Sequence, residues 1–210
     1  MFYPKLTRRT AYKTKQNGDW YSSCEEYRAE ILEDSQHRCV YCDIRTTECS
    51  DDLLQLDHFK PRSLFPELSS NPTNLVAACP VCNWYKSNHW PVGKDSEESY
   101  SGQLGFIDPF KENSAEFFCI NAEGEIGPQK PPAKYIIRIL RLNRAARVRT
   151  RKSRMLRKKY KDLADGVNQS LGELHREACD VSIPRPEFAA KFEKFRLACS
   201  KLLEFGSTVI

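Results

Sequence analysis

Cys39-Val40-Tyr41-Cys42, Leu56-Asp57-His58-Phe59-Lys60-Pro61 and Asn74-Leu75-Val76-Ala77-Ala78-Cys79-Pro80-Val81-Cys82-Asn83-Trp84-Tyr85-Lys86 are the three pieces of sequence on which this 210-residue chain turns. Two Cys-x-x-Cys knuckles bracket an Asp-His pair and two asparagines. Each knuckle offers two thiolates, and four thiolates close a tetrahedral Zn²⁺ site that needs no other ligand. The insert between the knuckles is longer than in a plain zinc ribbon, so it holds structure of its own. Leu53, Leu54 and Leu56 predict a strand ending at Asp57-His58, which Pro61 stops by removing a ladder donor. Residues 62–73, with Pro66, Ser69, Ser70, Asn71 and Pro72, read as a long turn. Residues 74–78 then form the return strand. Pro80 suits the first turn of a helix, where its missing N–H is no loss, and that helix runs to about Asn88 and covers the hairpin.

Working outward, the length suits one full domain or a small domain with helical additions. No apolar run approaches the roughly 18 residues of a membrane span, and the first residues lack the apolar core of a signal peptide. Nine cysteines would suit a disulfide scaffold, but the count is odd, four sit in knuckles and no export signal is read. Metal binding in a reducing cytoplasm explains more. Cys24, Cys119, Cys179 and Cys199 are expected to be ordinary buried thiols; Cys49, near the first knuckle, is set aside as a substitute ligand. The formal net charge is +5, yet thirteen Lys or Arg and no Asp or Glu fall between Lys134 and Lys161, leaving −8 for the rest. Such asymmetry points to a polyanion or to an acidic partner.

Four segments follow. Residues 1–37 are a basic arm and a helix. The arm, with Lys5, Arg8, Arg9, Lys13 and Lys15 among Tyr3 and Tyr12, is expected to be extended up to residue 18. The helix follows over about 24–35, started by a capping box at Ser23-Cys24-Glu25-Glu26. Residues 38–92 are the knuckle-and-hairpin core. Residues 93–132 hold a polar loop and a hairpin, residues 117–120 against 125–126. Residues 133–210 are a basic helical region, broken near Asn143. In it Arg144, Arg147, Arg151, Arg154, Lys158 and Lys161 repeat at helical spacing, a cationic stripe about 25 Å long. Phe188, Phe192, Phe195, Cys199 and Leu202 mark one face of a last helix, expected to cover the apolar side of the basic one.

With these residues in place, the central stretch resembles the zinc-stapled HNH endonucleases. The resemblance implies an α+β fold: a ββα-metal core with a four-cysteine zinc site at Cys39, Cys42, Cys79 and Cys82, an N-terminal helix, a small β-hairpin and C-terminal helices. It also implies roles: His58 as general base, Asp57 as metal-binding acid, Asn74 as the brace of the hairpin loop, and Asn83 as the last letter of the motif. Members with an all-histidine site use i and i+4 on this helix. Here Ser87 stands at i+4, and His89, at i+6, lies on another side. The remaining donors, a carboxylate and an amide carbonyl, favour Mg²⁺ or Mn²⁺. Adjacent strand residues point to opposite faces, so Asp57 and His58 can serve one site only if the strand twists or bulges as it ends.

Lys86 and Arg62 are candidates to hold substrate phosphate, as are Arg147, Arg151 and Arg154 of the stripe. The expected activity is metal-dependent phosphodiester hydrolysis in nucleic acid, DNA before RNA, leaving a 5′-phosphate and a 3′-hydroxyl. The alternative is a zinc-dependent nucleic-acid-binding module that does not cut. Asp108-Pro109 and Leu142-Asn143 extend the resemblance to the small HNH nucleases of bacterial anti-phage systems, in whose Septu type such a nuclease works beside an ATPase.

Overall fold

A computed structural model describes residues 2–48, 54–179 and 183–209. Leu53 and Cys49 lie outside them. The chain divides into two compact units, residues 1–150 and 151–210.

In the first unit a 3₁₀ turn (Cys24–Tyr27) leads into helix α1 (Arg28–Asp34). Ser23 makes no side-chain cap; only its carbonyl accepts from the Glu26 amide, at 3.3 Å. Left-handed turns at Gln36 and His37 deliver the chain to the first knuckle, whose Val40 amide bonds the Ala77 carbonyl at 2.9 Å. Strand β1 (Gln55–His58) pairs antiparallel with β2 (Leu75–Ala78), in register from Gln55 opposite Ala78 to His58 opposite Leu75. The register is unbroken through Asp57 and His58, so no bulge turns the two side chains to one face. Strand β2 is buried throughout, because α1 and the knuckles cover it. Cys79 precedes helix α2 (Pro80–Lys86) as its N-cap, which hangs the second knuckle on the helix start.

The polar loop expected ahead of the hairpin contains two-residue strands β3 (Tyr100–Ser101) and β4 (Leu104–Gly105). A short helix α3 (Ser114–Phe117) feeds the expected hairpin, β5 (Phe118–Ile120) against β6 (Ile126–Pro128). Helix α4 (Ala133–Ile139) packs on β6. The break near Asn143 has a physical cause: Arg141 is left-handed, and the Asn143 amide bonds both the N–H and the carbonyl of Ile126, at 2.7 and 2.9 Å. That clamp ties the chain to β6 just before the next helix.

The N-terminal segment is not an extended arm. Phe2, Tyr3 and Leu6 are buried in the main core beside the knuckles, the Tyr3 hydroxyl donates to the Val40 carbonyl, and the Leu6 amide donates to the Pro109 carbonyl at 2.8 Å. Three of its cations are engaged internally, Lys13 with Glu26 at 3.2 Å among them. Arg9 pairs with Glu30, Glu33 and Asp34 of α1. Arg8 lies 3.8 Å from the centroid of the Phe110 ring.

The second unit holds most of helix α5 (Ala145–Ala178) and helix α6 (Arg185–Val209), packed antiparallel. Tyr160 stacks on Phe205, close contact that Gly206 permits because a Cβ there would sit 3.2 Å from the Tyr160 ring. At the other end Lys191 bonds Glu177 at 2.8 Å. The apolar face expected on α6 is only partly covered, since Phe192 stays exposed. The stripe is not one solvent-facing ridge either: Arg151 is 2% exposed, and Arg147 and Arg154 are half-buried. The open cations of α5 include Arg149, Lys152, Arg157, Lys158, Lys159 and Lys161. Among the four thiols expected to be buried, Cys119 and Cys179 are exposed and Cys24 and Cys199 half-buried.

Candidate metal centre and active-site cleft

The four knuckle cysteines are buried, and their sulfurs all lie within 4.8 Å of one another. Zinc–sulfur bonds of about 2.3 Å in a tetrahedron set the sulfurs roughly 3.8 Å apart; Cys42 and Cys79 are 3.7 Å apart. Cys39, Cys42, Cys79 and Cys82 therefore fit a Zn²⁺ ion, with no position left for a substrate. A residue that sequence reading put in the stripe attends this cluster. Arg144 Nη2 lies 3.4 Å from Cys82 Sγ and 4.0 Å from Cys79 Sγ, while Nη1 donates to the carbonyls of Leu140 and Arg141 at 2.5 and 3.0 Å. Four thiolates around Zn²⁺ carry two net negative charges, and a guanidinium beside them offsets part of that charge and orients the sulfurs.

Beside the hairpin lies a cleft of about 350 Å³ lined by Cys24, Asp57, His58, Arg62, Asn83 and Ser87, among others. His58 is half-buried. Its Nε2 is 2.9 Å from the Ser69 carbonyl oxygen. A carbonyl only accepts, so Nε2 carries the proton and Nδ1 holds the lone pair of the neutral ring. The Cys24 thiol sits 3.6 Å from the same nitrogen.

Asp57 turns the other way, as strand alternation requires. It is 7% exposed; it accepts from the Tyr41 hydroxyl at 2.6 Å and from Lys86 Nζ at 3.1 and 3.3 Å. Lys86 is fully buried and also donates to the His58 carbonyl at 2.8 Å. The expectation that Lys86 reaches substrate phosphate is thus corrected: one turn past Asn83, it points into the protein and fixes the strand end. Burial pushes the Asp57 carboxyl up, against the pull of Lys86 and Tyr41. Burial likewise pushes the Lys86 ammonium down, against Asp57.

Asn74 holds the loop after β1 from both sides, its Oδ1 accepting from the Lys60 amide and its Nδ2 donating to the Lys60 carbonyl, each at 2.9 Å. Asn83 donates from Nδ2 to Gln55 Oε1 at 2.9 Å, which leaves Oδ1 as its donor atom for a cation. Asn83 Oδ1 is thus open to the cleft, whereas both Asp57 oxygens are engaged inside the protein by Tyr41 and Lys86, so the pair can hold one cation only if the Asp57 carboxylate gives up part of that pairing. By donor chemistry, a carboxylate and an amide oxygen would suit a hard divalent cation rather than a soft one. Arg62 is exposed at the rim. His89 lies apart, its Nε2 paired with the Tyr135 hydroxyl.

Tyr41 is the partner of Asp57 that sequence reasoning missed; its place inside the first knuckle gives only a weak sign, an aromatic between two ligands. Nothing in the spacing of Arg144 separates it from the rest of the stripe.

Residues 39–89 match the family model for HNH endonuclease. The chain is also 35% identical over 74 residues to the Septu protein PtuB of Bacillus thuringiensis, an overlap covering 35% of this chain and 28% of that protein. The matched residues span the knuckles, the hairpin and helix α2, so this part of the chain is similar to HNH endonucleases.

Proposed function

We propose that the chain is a metal-dependent endonuclease that hydrolyses phosphodiester bonds in nucleic acid, with DNA as its substrate. The observation that carries this reading is His58 at the cleft wall, its Nε2 tied to a backbone carbonyl and its Nδ1 lone pair left for a proton. In the reaction His58 Nδ1 takes a proton from the water that attacks phosphorus. Asp57 and Asn83 would hold a Mg²⁺ or Mn²⁺ ion, which would supply Lewis-acid stabilisation of charge on the phosphate oxygens. Tyr41 and Lys86 orient Asp57, Asn74 fixes the loop that follows His58, and Arg62 receives a phosphate oxygen at the rim. A zinc held by the four cysteines would be structural, tying the first knuckle to the start of helix α2 beside the hairpin.

The exposed cations of α5 supply affinity for the nucleic-acid backbone, independent of sequence and weakened by salt. Of the stripe residues, Arg147 and Arg154 remain candidates for this role, and buried Arg151 is not. The likeness to a Septu protein supports a place in bacterial anti-phage defence beside a partner such as an ATPase, in the cytoplasm.

Supercoiled plasmid incubated with zinc-loaded protein and Mg²⁺ or Mn²⁺ tests the proposal. Nicking by the native chain is expected to fall at least about a hundredfold in His58→Ala, the scale of a lost general base. Binding without cleavage under every metal, alone and with the partner, would instead favour a non-catalytic binding module. Equal nicking by both proteins would remove His58 from the mechanism.

A further inference from the structure

Trp84 follows Asn83 on helix α2 and is 72% exposed, whereas Trp90 is 6% exposed. Its ring contact among the described residues is with Tyr85, edge-on at 4.9 Å between centroids. An indole this open does little for packing, and its apolar face remains in contact with water. It lines a shallow groove with Gln55, Val81, Asn83, Tyr85 and Ser87. Asn83 and Ser87 also line the cleft that contains His58, so groove and cleft form one continuous surface. Among the described residues no carboxylate lines the groove, and Arg141 lies 5.0 Å from the centroid of the Tyr85 ring. An open aromatic face, a cation beside the neighbouring Tyr85 ring and an adjoining cleft of about 350 Å³ match the parts of a nucleotide: a base with a π face on a charged backbone.

We propose that this groove is a base-stacking subsite, in which Trp84 receives an unpaired nucleobase of the strand whose phosphate lies at His58. The proposal rests on the nuclease reading of the cleft and names its substrate more narrowly. A paired base inside a duplex has both faces covered by its neighbours, so the subsite selects single strands, frayed ends and extruded bases. Stacking uses no hydrogen-bond pattern, so it brings little sequence preference.

The test is tryptophan fluorescence of the full-length, zinc-loaded His58→Ala chain, which leaves the probe intact, titrated with a short oligothymidylate and with a duplex of equal length. The single strand is expected to quench the emission and the duplex to leave it nearly unchanged. Trp84→Leu in the same background is expected to lose that quenching and bind the single strand about tenfold more weakly, as for the loss of one stacked base. Trp84→Phe, which keeps an aromatic face, is expected to retain most of the affinity. Unchanged affinity in Trp84→Leu, equal quenching by the duplex, or an emission change only on adding a partner protein would each overturn the subsite. Plasmid cleavage by the native chain, run alongside, separates the two readings. Cleavage of plasmid or of the oligothymidylate with an indifferent Trp84 sinks the subsite alone, and quenching without cleavage of either substrate under either metal, alone and with the partner, sinks catalysis alone.

Discussion

Lys86 has no exposure to solvent, and its charge is answered by Asp57 and the His58 carbonyl. Removing one partner of a buried ion pair is far costlier than the pair is worth, because the other charge is left without compensation. Lys86→Met is therefore expected to lower unfolding stability by about 3 kcal/mol at neutral pH, read from urea midpoints. The pH dependence has a definite sign. Burial already raises the Asp57 carboxyl above its ordinary value, and loss of the ammonium raises it further. A folded pKa above the unfolded one destabilises while the group is charged, so the deficit is present above the folded pKa and shrinks as pH falls through it. A deficit that grows on acidification would contradict the pairing. Lys86 itself was readable only as a cation one turn after Asn83; which way it points depends on the crossing of helix and strand, which spacing does not encode.

At the scale of elements, hairpin and helix α2 were legible because short apolar runs, Pro61 and Pro80 each have a local physical meaning. The loop brace is a local device as well. Asn74→Ala removes two hydrogen bonds that close on one residue, Lys60, and is expected to cost about 1–3 kcal/mol, with faster amide exchange in residues 59–73. Unaltered exchange there would deny Asn74 its bracing role. The burial of the N-terminal segment is not legible locally, because Phe2, Tyr3 and Leu6 find their partners far along the chain. That segment has its own titration signature. Burial, then the hydrogen bond to Asp34, pushes the Tyr12 phenol up to about 12. Since the ordinary value is about 10, the stability it contributes is complete below about pH 10 and is lost as pH rises through about 12. A phenolate absorbance titration is expected to lose its step near pH 12 in Tyr12→Phe; a retained step would place the segment elsewhere.

At the scale of the whole molecule, the four cysteines belong to the main core of the first unit rather than to a peripheral finger. Zinc removal is accordingly expected to cost that unit its cooperative fold, since a site assembled by folding returns its binding energy to folding. Arg144 reaches the cluster from far along the chain, so chelator-driven zinc release is expected to run about tenfold or more faster in Arg144→Ala, followed with a coloured zinc indicator. Release at the native rate would reduce Arg144 to a cap on α4. No described helix is long and apolar enough to cross a membrane, in line with the sequence. The charge asymmetry was legible too, but not which cations stay open: a helical repeat alone does not tell that Arg151 is buried while Arg149 and Lys152 are exposed.

Everything proposed for catalysis requires a cation between strand β1 and helix α2. Anomalous diffraction from crystals of the zinc-loaded protein soaked in Mn²⁺ addresses this most directly. The account predicts a manganese peak in the cleft, within bonding distance of Asn83 Oδ1 and an Asp57 carboxylate oxygen, with the His58 ring beside it and the zinc peak separate under the knuckles. A cleft without manganese at high soak concentration, with Asp57 still bound only to Tyr41 and Lys86, would contradict it.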